Sequence, residues 1–335
     1  MCTRFLIALL LISGCGLLNG EKKHQELFEN PVFTEVYFTT DYESDERPDR
    51  GLIAINYNNP KEFIVLERGE SSFSPVSLSP DRKKLIYGDH TLTGSDPQLV
   101  IYDLDSKTKE PLYFDEGKLR LLTSKSSNIV WDKSGDSFYT SSPTSWGIIN
   151  TYLYSLERMA IDFETSNVAS IYPYDLISKD TLLIFTNEFF SWEHGVVNPY
   201  LMDKEGNYIK KVENPYLRSI NEGGLIKRVV RNLAWSDSLR LIVGSYSNSE
   251  EFEGSKIIIT DLDGNVYKEF TDGKYRNRAP VWTKDGKIIF TESRVKNSDV
   301  LYAGLKILDP ETGKISPFFS RYNYPELIGV GTAAL

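Results

Sequence analysis

Cysteine and histidine are nearly absent. The 335 residues hold two cysteines, Cys2 and Cys15, and three histidines, His24, His90 and His194. Beyond position 15 the chain therefore has no disulfide to form and no thiol to serve as nucleophile or metal ligand. HExxH, CxxC and P-loop patterns do not occur, which removes common zinc, redox and nucleotide signatures. A GxSxG nucleophile elbow is missing too, and no stretch after the last repeat is long enough for an α/β-hydrolase domain. No catalytic residue, metal or cofactor is expected on these grounds. Basic residues are also in deficit: 38 Lys and Arg stand against 47 Asp and Glu, a formal charge of −9. Such a chain lacks the basic footprint of a nucleic-acid binder.

The apolar run Phe5 to Ile12 has eight residues, against the ~20 of a membrane-spanning helix. It follows Arg4 and precedes the small residues Ser13 and Gly14, the pattern of a signal peptide. Ile12, Ser13, Gly14 and Cys15 resemble a bacterial lipobox, in which the cysteine is acylated and becomes the new N-terminus. The resemblance implies that residues 1–14 are removed, that Cys15 carries the lipid and that residues 15–31 form a polar tether. Several acyl chains hold a protein on a bilayer at ~0.8 kcal/mol per buried methylene. Gly16 stands where an aspartate marks inner-membrane retention, so outer-membrane placement is expected.

What is plentiful is aromatic and β-branched residues, with 13% Phe, Trp and Tyr, and no amphipathic helical period appears after residue 30. One short strand recurs six times: EVYFTT at 35, KLIYGD at 84, SFYTSS at 137, LLIFTN at 182, LIVGSY at 241 and KIIFTE at 287. Five copies follow a tight turn and an apolar strand, in which Leu78, Trp131, Leu176, Trp235 and Trp282 hold one position at spacings of 53, 45, 59 and 47. Third strands such as QLVIYDL at 98 and KIIITDL at 256 come next, then turns such as Glu205-Gly206-Asn207 and a fourth strand. A period near ~45 residues with four short strands is the propeller signature. Residues 32–335 are thus expected to form one domain.

Two phrases carry a family resemblance: Ser74-Pro75 leading to Leu78-Ser79-Pro80-Asp81, and Ala279-Pro280-Val281-Trp282-Thr283-Lys284-Asp285-Gly286-Lys287. They resemble the repeat of TolB-type propellers over roughly residues 32 to 330. The resemblance implies an all-β, six-bladed propeller of four-stranded antiparallel blades. Blades three to five depart from the repeat, and TolB itself has an extra N-terminal domain and no lipid anchor, so the likeness does not extend to TolB's partners. Blade one lacks its own innermost strand, and residues 324 to 330 are expected to supply it, closing the ring and removing an exposed edge.

Function is expected on one face. Turns joining first to second and third to fourth strands are short, while the other connections are long, and long loops on a rigid scaffold carry binding residues. The segments 41–50, 89–96, 141–149, 187–197, 246–254 and 293–300 contain thirteen acidic and four basic residues. Candidate partner-binding residues there are Asp41, Glu43, Asp45, Glu46, Asp49, Glu250, Glu251 and Glu253, with the aromatics Trp146, Phe189, Phe190, Trp192 and Phe252 and the loop residue His194. His90 is read as a solvated loop residue. Asp261-Leu262-Asp263-Gly264-Asn265 resembles the start of a calcium loop, but it lacks the glutamate at the twelfth position and sits where the other blades have a hairpin turn. The expected function is a non-catalytic binding or scaffold module of the cell envelope, monomeric, with an envelope protein, peptide or glycan as partner. The alternative is an enzyme whose axial site is dispersed over several blades, as in a metal-dependent lactonase or a polysaccharide lyase.

Overall fold

The computed structural model describes residues 29–38, 50–69, 73, 76–89, 98–113, 129–143, 149–164, 170–187, 196–217, 219–222, 225–247, 254–270, 275–296, 299–320 and 327–334. These form a ring of six blades. Blade one holds β1 (Pro31–Phe38), β2 (Arg50–Asn56) and β3 (Phe63–Gly69). Blade two holds β4 (Val76–Leu78), β5 (Lys84–Asp89), β6 (Gln98–Asp103) and β7 (Lys109–Pro111). Blade three comprises β8 (Val130–Trp131), β9 (Ser137–Pro143), β10 (Ile149–Ser155) and β11 (Ala160–Glu164). Blade four comprises β12 (Ser170–Ser178), β13 (Thr181–Asn187), β14 (Val196–Asp203) and β15 (Tyr208–Lys211). A 3₁₀ turn (Pro215–Leu217) and β16 (Ser219–Glu222) lead to blade five, formed by β17 (Leu225–Ser236), β18 (Leu241–Ser247), β19 (Lys256–Thr260) and β20 (Val266–Phe270). Blade six has β21 (Arg276–Trp282), β22 (Ile288–Lys296), β23 (Asp299–Leu308) and β24 (Ile315–Ser320).

The last strand, β25 (Leu327–Ala334), pairs antiparallel with β1, placing Val330 opposite Val36 and Ala334 opposite Phe33. Blade one is therefore completed by the C-terminal segment, giving the order β25-β1-β2-β3. The strand begins three residues later than residue 324 and continues four residues past 330.

Why the second strands read as unbroken apolar runs is visible in their packing. A strand flanked by partners within its blade and by neighbouring blades on both faces buries every side chain. In β5, Leu85 and Tyr87 enter the core between blades one and two, while Ile86 enters the core between two and three. Likewise Leu183 and Phe185 of β13 face blade five, and Leu182 and Ile184 face blade three. Six such apolar clusters fill the six blade-to-blade interfaces, the one between blades six and one holding Val36, Ile53, Ile289 and Phe319. The outermost strands bury one side at most, as in β20, where Val266 and Tyr267 are exposed and Phe270 is buried.

Two connections differ from their sequence reading. Within segment 293–300, expected as a loop, residues 293–296 continue β22 and residues 299–300 belong to β23, paired out to Lys296 and Asp299. Between blades four and five, β16 pairs with the start of β14 and forms a hairpin with β17, so the two blades share one continuous sheet.

Candidate functional site

Strand direction divides the ring into two faces. First-to-second and third-to-fourth turns lie on one, and the remaining connections lie on the other. The residues predicted to bind a partner, Asp41 to Asp49, Trp146, Phe189 to His194 and Glu250 to Glu253, lie outside the described residues, as do Cys15 and His90. The strands that lead to them are described, and they end in a buried polar stratum.

That stratum comes from the small polar residues that close each second strand and open each third. Thr140, Ser141, Thr186 and Ser245 are buried, as are Gln98, Thr151, Asn198 and Ser255. Between blades five and six the polar groups satisfy one another. The Asn277 backbone N–H donates to Ser255 Oγ at 2.6 Å, its Nδ2 donates to the Ser255 carbonyl at 2.7 Å, and Ser255 Oγ and Ser245 Oγ both donate to the Asn277 carbonyl. Lys306 meets Glu292 at 3.1 Å in the same interface. In blades two and three the stratum is incomplete. Both polar atoms of the fully buried Gln98 side chain, and Ser141 Oγ, have no hydrogen-bond partner among the described residues. Unpaired buried polar groups are uncommon in folded proteins and costly.

The short-turn face is tied down locally. Asp285 accepts from Thr283 Oγ1 at 2.5 Å, from Lys287 Nζ at 2.8 Å and from Tyr57 Oη of blade one at 2.7 Å. Partial burial works to raise its pKa, but those donors win and hold it at about 2. Burial, and then the bond to Asp285, push the Tyr57 hydroxyl above its usual range. Asp237 is held low first by Lys133 of blade three, then by the Trp235 indole N–H at 3.0 Å. Asp261 is held low first by the Asn265 side-chain amide at 2.8 Å, and its other oxygen accepts the Asn265 backbone N–H at 2.9 Å. This is a stapled hairpin turn, so the calcium-loop likeness of that segment stops at the residue types. Gly264 is needed there twice over: its φ is +91°, and a Cβ would meet Pro215 Cδ at 2.9 Å.

The three repeat tryptophans flank these turns in two environments. Trp131 is buried against Phe138, with ring centroids 5.6 Å apart. Trp235 and Trp282 are half-buried. The Trp282 indole N–H donates to the Ala234 carbonyl of blade five at 3.1 Å, and the Arg240 guanidinium lies 5.0 Å from the centre of the Trp235 ring.

Apolar exposure on this face is one-sided. Among the described residues the exposed large hydrophobics are Tyr208, Ile209, Leu239, Val266, Tyr267 and Ile315, all at the short-turn ends of blades four to six. A groove of about 590 Å³ lies between blades five and six, lined by Leu239, Tyr267 and Trp282 among others. No group of three or more His, Cys, Asp or Glu placed to hold a metal occurs among the described residues, nor any helix long and apolar enough to cross a membrane.

No family model matches the chain, and no curated protein sequence matches it. Solved structures do. TolB from Acinetobacter baumannii superposes with a TM-score of 0.63 at 13% identity, covering 92% of this chain and 66% of that one. The fold is that of a TolB-like propeller. A putative TolB from Agrobacterium tumefaciens gives a TM-score of 0.55 at 15% identity, covering 86% and 88% of the two chains. Puromycin hydrolase gives 0.54 at 10% identity, covering 87% of this chain and 52% of its own. This TolB-like propeller thus spans about two thirds of the A. baumannii protein and about half of the hydrolase.

Sequence reasoning missed the sheet shared by blades four and five of this propeller. The signal was present: Asn221-Glu222-Gly223-Gly224, followed by Leu225 to Val230, reads as a Gly-rich turn entering a strand. It also missed the groove, because Leu239, Tyr267 and Trp282 are distant in sequence and meet only through blade packing.

Proposed function

We propose that this chain is a lipid-anchored, non-catalytic binding module of the bacterial cell envelope, engaging a protein or peptide through its long-loop face. The observation that carries the reading is the unequal construction of the two faces. On the short-turn face the aspartates Asp237, Asp261 and Asp285 are each occupied in stapling a turn or joining two blades. On the other face the long connections leave a stiff ring above buried polar groups, and their sequences are acidic and aromatic-rich.

The point of chain entry supports the same reading. Asn30 lies on the short-turn face, where its carbonyl accepts from Tyr57 N at 3.2 Å and its side chain accepts from Arg82 Nη1 at 2.6 Å. The chain therefore enters the ring on that face, opposite the face on which the strands leading to the long connections end. Acidic charge in their sequences suits a basic partner, and aromatic side chains are the usual anchors of such contacts.

Two experiments test the proposal. Cys15→Ser is expected to release the protein from membranes after cell breakage, and unchanged fractionation rules out the anchor. In-cell cross-linking is expected to capture a partner whose yield falls with salt. That yield should drop when Asp41, Glu43, Asp45, Glu46 and Asp49, or Glu250, Glu251 and Glu253, are neutralised. Undiminished capture by both folded variants removes this face as the binding surface.

A further inference from the structure

Two depressions open on the short-turn face, one on each side of the Trp282 to Lys284 segment of blade six. The larger is the groove between blades five and six, whose outer lip carries Asp309 and Glu311. The smaller, of about 170 Å³, lies between blades one, two and six and is lined by Leu78, Pro80 and Asn30. Trp282 and Lys284 line both, so the two form one path from the point of chain entry outward along blade six.

Charge along this path is uneven. Lys287 is matched by Asp285 at 2.8 Å, and Lys268 Nζ donates to the carbonyls of Pro310 and Glu311 at 2.6 and 3.2 Å. Lys284, exposed near the inner end, pairs with no carboxylate among the described residues. At the outer end Asp309 stays ionised, its pKa lowered chiefly by the Thr312 backbone N–H, and Glu311 is exposed. The entry pocket offers Leu78, Pro80 and Trp282 beside the Arg82 guanidinium, which is engaged by Asn30 and the Pro31 carbonyl. The matching occupant has apolar side chains at the entry point, then an acid, then bases.

The chain's own N-terminal segment has that order. Read backward from Asn30 it runs Glu29, Phe28, Leu27, Glu26, Gln25, His24, Lys23, Lys22. We propose that residues 22–28 dock along this path. Leu27 and Phe28 fill the smaller pocket against Leu78, Pro80 and Trp282, Glu26 meets Lys284, and Lys22 and Lys23 meet Asp309 and Glu311. Length permits it: eight residues at about 3.3 Å each reach about 26 Å, while the three strand spacings across a blade total about 14 Å. Because the segment is covalently attached at Asn30, its effective concentration is in the millimolar range, so weak contacts suffice to seat it. The docking does not depend on acylation of Cys15.

The test is zero-length carbodiimide cross-linking of the purified full chain, as an equal mixture of ¹⁴N and ¹⁵N protein, read by mass spectrometry. The expected products join Lys22 or Lys23 to Asp309 or Glu311 within one isotopic chain, and they disappear in the Asp309→Lys, Glu311→Lys double variant. Trypsin is expected to cleave after Lys22 and Lys23 about tenfold faster in Phe28→Ser, the scale set by burying one large apolar side chain. Mixed-isotope products, which make up half of any cross-links between two copies, assign the groove to a second copy and overturn the proposal. Absence of the cross-links, with equal cleavage of wild type and Phe28→Ser, overturns it as well.

Discussion

At the short-turn end of blade six, Asp285 takes two of its donors from Thr283 and Lys287, each two residues away, whereas at the long-loop end Asn277 bonds to Ser255, 22 residues back in blade five. The first arrangement is local and stays formed whenever the hairpin is formed. The second exists only when two blades are packed. One end of the ring combines turn chemistry that a blade supplies for itself with bonds from a second blade, such as Tyr57 to Asp285 and Lys133 to Asp237, whereas at the other end the Asn277 contacts exist only between blades. At the long-loop end, Gln98 of blade two and Ser141 of blade three hold buried polar atoms without a partner among the described residues.

The largest expected effect strikes both ends at once. A chain terminated after Arg321 lacks β25, which runs the full height of blade one, and it is expected to lose cooperative thermal unfolding and to aggregate through the bared edge of β1. Cooperative unfolding at the wild-type midpoint would show that β25 contributes nothing to closure. Next comes a contrast within the short-turn end. Trp131→Ala is expected to cost ~3–5 kcal/mol and Trp282→Ala roughly half as much, because Trp131 is buried and Trp282 half-buried. Equal losses in urea titrations contradict that ranking.

At the long-loop end the comparison predicts opposite signs. Asn277→Ala removes the side-chain donor to the buried Ser255 carbonyl, while the backbone bonds to Ser255 Oγ remain, and is expected to destabilise by ~1–3 kcal/mol. Gln98→Met removes two unpartnered polar atoms at similar volume and is expected to leave the midpoint unchanged or raise it. A loss on Gln98→Met means that the amide has a partner in the folded protein. The smallest effect belongs to Asp285→Asn. A carboxylate with a folded pKa of about 2, below its ordinary 3.8, adds stability that is complete at pH values above the ordinary one and is lost as pH falls through about 2. The variant is expected to melt slightly below wild type at pH 7 and to converge with it as the pH falls below about 2. A gap that persists in acid assigns the effect to packing.

Sequence legibility followed the same division. The second strands could be read because burial on both faces forces unbroken apolar runs. The short turns could be read because positive φ selects residues such as Gly135, Gly206 and Gly286. Even so, Arg82, Lys107, Met159 and Arg240 hold positive φ without being glycine, so composition alone understates the number of such turns. The innermost strands carried less signal, since β4 and β8 have only three and two residues and take their definition from neighbours. The groove on blade six was illegible for a further reason: its walls come from five separate turns and strands of two blades, and no periodicity links them. The long-loop residues chosen for charge and aromaticity were selected by composition, which identifies a surface without locating a contact.

Ring closure also has a kinetic meaning. Phe33 and Ala334 are opposite one another in blade one yet about 300 positions apart along the chain, so their pairing is among the most non-local in the molecule and belongs to the slow class of β contacts. Blades two to six can each form from contiguous sequence, but the first blade waits for the last strand. Until that strand arrives the nascent ring is an open arc with β1 unprotected, so the rate at which β25 finds β1 sets how long the protein is exposed to proteolysis and mispairing.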